Sequence, residues 1–309
     1  MQNKKLFLTN ITVIFFLYNL FKLYHIRRRS KILTKIYQNH LVIDNMIYNK
    51  KFKKNILMIG DSTTVGVGVV NQKNHMYNLL SKHYNANVDI IAKSGMRLKN
   101  SDIILDGLKE HLLYNKKRYD IIFISLGIND SWNNIKNINI SNFINKFNII
   151  INKIKINEKF DKLCKLNLKL DKIKNKYFKI DITKEHTTNI DNFFNIIINL
   201  KKDEHSKVFF ITTNYLEKNN KIPYIIRQNL ISNYNKLIFS LLNIFIKYKI
   251  ILINVNFNTL KDYINPFDKI HLNDEGHKYM FNKFIEEVKN NKNNDNINDD
   301  NINDTNKRN

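Results

Sequence analysis

Five short stretches of this chain are apolar along almost their whole length and bounded by polar or turn residues: Asn55–Gly60, Val88–Lys93, Asp120–Leu126, Lys207–Thr212 and Lys249–Val255. Each is rich in β-branched or aromatic residues. Continuous apolar character, rather than alternation, marks strands whose sheet is covered on both faces. Between them the apolar period lengthens, which predicts helices over Leu98–Tyr114, Ser141–Ile154, Tyr224–Lys247 and Asp274–Lys289. Strands alternating with helices give right-handed crossovers. The pattern therefore predicts an α/β protein, a three-layer α/β/α sandwich on a five-stranded parallel sheet.

Three regions interrupt this rhythm. From Asp130 to Lys207 the chain is far longer than the dozen or so residues that one crossover requires. Within it, Ile156, Phe160, Leu163, Leu166, Leu170, Ile173 and Tyr177 recur at helical spacing opposite a lysine-dense face, an amphipathic helix of about six turns. An insertion over residues 155–204 packed on the outside of the domain is the simpler reading; a lid facing anionic lipid is the sharper one. At the N-terminus, Leu6 to Phe21 is mostly apolar and leads to Lys22 and Arg27-Arg28-Arg29. No small-residue cleavage site follows, so residues 1–30 read as an uncleaved anchor spanning or lying on a membrane through residues 6–26. The arginine cluster favours a cytoplasmic domain, Lys4 and Lys5 pull the other way, and the side stays open. Residues 31–54 read as a polar linker or short helix, 55–288 as the folded domain, and the Asn/Asp/Lys-rich residues 289–309 as a disordered tail.

Composition narrows the field. One cysteine, Cys164, excludes an internal disulfide framework. The net charge of +24 invites a polyanionic partner, but lysine, asparagine and isoleucine are in excess throughout, as an AT-rich coding sequence yields without selection for a basic surface. No zinc knuckle, aromatic RNA-binding pair or repeat accompanies the charge. Nucleic acid is not expected as a partner.

The candidate chemistry begins where the first strand stops, at Gly60-Asp61-Ser62. A serine there stands at a strand's C-terminal end, where open α/β sheets place ligands. Serine becomes nucleophilic when a histidine takes its proton and a carboxylate fixes the imidazole tautomer. His271, with Asp268 three residues earlier, supplies both. Donors for the oxyanion are found in the backbone of Ser62, in the backbone of Gly95 within Lys93-Ser94-Gly95, and in the Asn129 side chain within Gly127-Ile128-Asn129-Asp130. Gly95 lacks a Cβ, which lets backbone approach a ligand. Asp130 reads as structural support for the Asn129 loop. His277 reads as a packing or helix-terminal residue, and His75, His83 and His111 as ordinary surface or satisfied ones. A dinucleotide loop would need glycine at position 71, where Asn71 stands, and a P-loop would need Gly-Lys-Ser/Thr. With no His-Glu-x-x-His, paired cysteines or carboxylate cluster, neither metal nor cofactor is called for.

These four blocks, in this order, resemble the SGNH (GDSL) hydrolases. Gly-Asp-Ser-Thr-Thr-Val-Gly-Val-Gly and His271-Leu-Asn-Asp-Glu-Gly-His277 are similar to the bacterial lysophospholipase-like esterase branch. Thr63 stands where many members have leucine. The resemblance covers roughly residues 55 to 288 and implies a flavodoxin-like sheet. It also implies Ser62 as nucleophile, His271 as base, Asp268 as its carboxylate, and Ser62, Gly95 and Asn129 as the oxyanion hole. The implied activity is hydrolysis of a lipid or acylated-glycan ester. Acyl transfer by the same residues and a non-catalytic binding module are the alternatives.

Overall fold

The computed structural model describes residues 2–37, 42–98, 106, 117–132, 184–222 and 224–305. Helix α1 (Gln2–Ile36) is followed by strands β1 (Val42–Ile47) and β2 (Lys54–Gly60), then a single turn, α2 (Ser62–Val65). Helix α3 (Met76–Tyr84) leads into β3 (Ala86–Ala92), and β4 (Ile121–Ser125) into the turn α4 (Ile128–Ser131). The crossover helix α5 (Lys184–Ile198) precedes β5 (Lys207–Thr213), which is followed by α6 (Tyr215–Lys218) and α7 (Tyr224–Lys247). Strand β6 (Ile251–Val255) and helix α8 (Asp274–Thr305) complete the order. The helices expected at Leu98–Tyr114 and Ser141–Ile154 fall largely or wholly outside the described residues, as do the amphipathic segment Ile156–Tyr177 and Cys164.

The sheet has the order β1-β3-β2-β4-β5-β6. The five expected strands pair in parallel, with β2 between β3 and β4. This is the flavodoxin-like order, and its switch point lies between the first and third of these strands, β2 and β4. Strand alternation divides the core. Ile56, Met58, Val88, Ile90, Phe123 and Phe209 pack on one face with Leu80 of α3 and Phe284 of α8. Leu57, Ile59, Ile91, Ile122, Ile124 and Phe210 pack on the other with Phe193, Phe194 and Ile197 of α5. Successive side chains point to opposite faces, so one apolar run feeds both layers.

Four sequence expectations change. A sixth strand, β1, pairs antiparallel with β3 along its edge (Val42 opposite Ala92), where a linker was expected. An uncovered parallel edge presents unpaired backbone groups, and β1 satisfies them without strongly apolar periodicity of its own. Secondly, α1 is joined to the domain: Leu23, Ile26 and Leu33 are buried, and the Tyr37 hydroxyl donates to the Val69 carbonyl at 2.6 Å. Their spacing aligns them on one helix face. Thirdly, Lys184–Ile198 belongs to the core, so the C-terminal part of the expected 155–204 insertion is the crossover itself. Fourthly, α8 continues to Thr305 in place of a disordered tail, since a helix already nucleated by packing adds one hydrogen bond for each further residue. Among the described residues no helix is long and apolar enough to cross a membrane; the side chains of residues 2–17, which include most of Leu6–Phe21, lie outside that description.

Candidate active site

The register puts three of the four sequence blocks at one sheet edge. Gly60 ends β2 opposite Ala92 of β3 and Ser125 of β4, so the loops bearing Ser62, Gly95 and Asn129 leave adjacent strands at the same level. Asp61 caps α2, its Oδ1 accepting from Thr63 N–H at 3.0 Å, and Ser62 is the first helical residue. Its backbone N–H therefore belongs to the first turn, whose donors have no intrahelical partner.

The second loop is fastened to the third by Asp130, whose Oδ2 accepts from Leu98 N–H at 2.8 Å. This is the supporting role expected of Asp130. Gly95 adopts φ +75°, and a Cβ built on it would meet nothing within 4 Å among the described residues. Its need for glycine is thus conformational. Ser94 Oγ beside it is buried without a hydrogen-bond partner among the described residues.

Asn129 departs from the simple expectation of an amide aimed only at an oxyanion. Its Nδ2 donates to Asp61 Oδ2 at 2.8 Å, which engages one of its two hydrogens. Burial pushes the Asp61 carboxyl up from 3.8 to about 6, against the Thr63 amide and the charge of His271, which pull it down.

The fourth block is built around Asp268 and is tied to the loop after Ser62 through Asn265. Asp268 is fully buried; its Oδ1 accepts from the backbone N–H of Ile270 (3.0 Å) and His271 (3.2 Å), while Oδ2 meets His271 Nδ1 in a short contact. Between them Lys269 sits at φ +62°, an unusual conformation for a side chain with a Cβ. It is held at both ends: its N–H donates to Asn265 O at 3.0 Å, and its carbonyl accepts from the buried Asn219 Nδ2 at 3.1 Å. Asn265 N–H in turn donates to His271 O at 2.7 Å, and its Nδ2 to Gly68 O at 3.3 Å. Gly68 (φ +100°) has no room for a side chain, since a Cβ would lie 2.5 Å from Leu272 O. The loop after Ser62 and the loop carrying His271 are therefore packed backbone to backbone. Asn219 and Asn265 went unnoticed in the sequence; single polar residues in irregular segments leave no periodic signal.

His75 and His277 are both fully buried, their ring centroids 4.8 Å apart and the rings tilted by 34°. His75 Nδ1 accepts from Tyr77 N–H at 3.1 Å and so caps α3, in keeping with a satisfied rather than a surface residue. Neither ring nitrogen of His277 has a partner among the described residues. Burial, then the charge of His271, lowers His277 from 6.5 to about 3. A packing role for His277 fits this setting.

The family model for GDSL-like lipase/acylhydrolases matches residues 56–284. No curated protein matches the chain. Among solved structures, it is similar to an extracellular lipase from Streptomyces rimosus at 12% identity, over 76% of this chain and 99% of that one, with a TM-score of 0.47. It is similar also to an acetylxylan esterase from Geobacillus stearothermophilus at 16% identity, over 76% of this chain and 94% of that one, with a TM-score of 0.45. Since the family match spans most of the chain and takes in all four blocks, the protein belongs to the GDSL-like lipase/acylhydrolase family and is an ester hydrolase.

Proposed function

We propose that the protein cleaves a carboxylic ester through an acyl-enzyme on Ser62. The observation that bears most weight is the contact between buried Asp268 and His271 Nδ1, which dedicates that nitrogen to the carboxylate and leaves Nε2 for proton transfer. His271 Nε2 takes the Ser62 proton as Oγ attacks the ester carbonyl. The backbone N–H groups of Ser62 and Gly95 and the free hydrogen of Asn129 Nδ2 hold the oxyanion. His271 then protonates the leaving alcohol, and water enters by the reverse roles to release the acid. The substrate class is a lipid or an acylated glycan. Hydrolysis of short and medium p-nitrophenyl esters, with fluorophosphonate labelling, tests this. Turnover and labelling should vanish together in Ser62→Ala, and retention of both by that variant would refute it.

We propose in addition that α1 tethers the enzyme to a membrane, with its first half in or on the bilayer and its second half docked beside the site. Arg27 lies 5.7 Å over the Trp132 ring, close to Asn129, and Arg29 lies 5.9 Å over Phe267, next to Asp268. Such docking would hold the catalytic loops near the lipid surface. Flotation of the full chain with phosphatidylcholine–phosphatidylglycerol vesicles should occur and should be lost when residues 1–20 are removed. Equal flotation of the two would exclude a tether at α1.

A further inference from the structure

We propose that Asp61 is a positioning residue for Asn129: its carboxylate selects the amide orientation in which Nδ2, not Oδ1, faces the oxyanion. The inference rests on Asn129 being an oxyanion donor, as proposed above. The two ends of a carboxamide are nearly the same size, so packing alone discriminates poorly between flipped forms, and hydrogen-bond partners decide. Asp61 decides strongly. Its Oδ1 is occupied by Thr63 N–H at 3.0 Å, which fixes the carboxylate as the cap of α2. Its Oδ2 is left to face Asn129 Nδ2 at 2.8 Å. An ionised carboxylate only accepts, so a flipped Asn129 would set oxygen against oxygen in a site where Asp61 is only 4% exposed. The flipped form would also turn its carbonyl toward the developing oxyanion. Asp61 thus does for the amide what Asp268 does for the imidazole, choosing one of two near-equivalent orientations.

Burial, and then the neighbouring Asp130 charge, oppose ionisation of this carboxylate, while the charge of His271 favours it. Asp61 is faced by His271 from the fourth block and by Asp130 from α4, and it opposes ionisation of the Tyr215 and Tyr234 phenols from α6 and α7. Burial raises its pKa, so an ionised Asp61 at neutral pH lowers stability. An asparagine would cap α2 as well without that cost, since both are favoured N-caps.

The test is a double-mutant cycle of Asp61→Asn and Asn129→Ala, with Ser62→Ala as reference. Asp61→Asn should lower kcat by about 10- to 100-fold, at or below the lower edge of the about 10²–10³-fold loss for removing one oxyanion donor outright, with KM unchanged. In the Asn129→Ala background it should cause no further loss. Its melting temperature at pH 8 should hold or rise, because a buried charge is removed while the cap is kept. Unchanged kcat in Asp61→Asn, or losses that multiply independently, would overturn the proposal. Should Asp61→Asn not fold, thermal melts of Asn129→Ala decide. Its deficit against the native chain should be larger at pH 8, where Asp61 is charged and has lost its donor, than at pH 5; equal deficits overturn the inference. Full activity in Ser62→Ala would instead remove the acyl-enzyme reading, and the melts alone would then judge Asp61.

Discussion

His271 and His277 are both buried and belong to one short segment, yet their surroundings differ in almost every respect. His271 meets a carboxylate that is itself fixed by two backbone amides. His277 meets another imidazole, and its nitrogens have no partner among the described residues. Burial alone disfavours the charged imidazolium, and His277 shows the result in its lowered pKa. A carboxylate changes the outcome, because it orients the ring and stabilises the imidazolium that forms when a proton arrives. Depth alone does not suit a histidine to act as a base; in the proposed mechanism a dedicated carboxylate does.

The sharpest way to break this contrast is to exchange the two losses. On the proposed mechanism His271→Ala should reduce kcat by about 10⁶-fold, the loss expected for a triad base, and His277→Leu should change it less than about tenfold. Comparable losses in p-nitrophenyl ester turnover would refute the contrast. Asp268→Asn should come next, with kcat reduced about 10⁴-fold because the amide no longer selects the His271 tautomer. The rate of Ser62 phosphonylation by a fluorophosphonate, with fluoride leaving, would read the same defect directly.

A third expectation concerns stability rather than turnover. His277 takes no proton in the folded state until about pH 3, whereas the unfolded chain takes one near 6.5. Stability from this group is therefore complete above 6.5 and is lost as pH falls from 6.5 toward 3. His75, lowered by burial and by His277, acts in the same direction. Asp61 runs the opposite way: its raised pKa costs stability above about 6, and the cost is relieved as pH falls from about 6 toward 3.8. Urea unfolding between pH 7 and pH 4 should show a flatter acid decline in His277→Leu than in the native chain, and a steeper one in Asp61→Asn. An unaltered profile in His277→Leu would contradict the neutral buried pair.

The smallest effect should come from the outer support of the His271 loop. Asn219→Ala removes the donor to the Lys269 carbonyl, at a residue held in the left-handed region. A loss of about 1–3 kcal/mol in urea unfolding is expected, with kcat reduced less than about tenfold. A larger effect on kcat than that of Asp268→Asn would mean that the loop, not the carboxylate, sets the base.

Much of this molecule can be read along the chain. The strand at Ile56–Gly60 stands out because every residue is apolar until the glycine, and its structural span begins only at Lys54. Tyr224–Lys247 was delimited without error, since its 24 residues keep one helical period between a proline and a non-helical lysine. Ser62, Asp268 and His271, the residues of the proposed triad, each stand in a short block whose local order is itself the signal. Asp61 was visible in the same block but mute, for nothing local announces that it will meet Asn129.

What the sequence determined by itself was thus the alternation of strand and helix, the layer architecture and the identity of the chemistry-bearing blocks. These follow from side-chain period and from spacings of a few residues, which the chain fixes wherever it folds. Only the tertiary structure decided which groups become partners. The Asn129–Asp61 bond joins residues 68 apart, and Asn265 reaches Gly68 across 197. It likewise decided that β1 would cover the free edge of β3, that α1 would dock through Leu23 and Ile26, and that His75 would be buried against His277. Such contacts depend on where separate strands end relative to one another. A buried polar group takes whatever partner that convergence supplies, and no local pattern records it in advance.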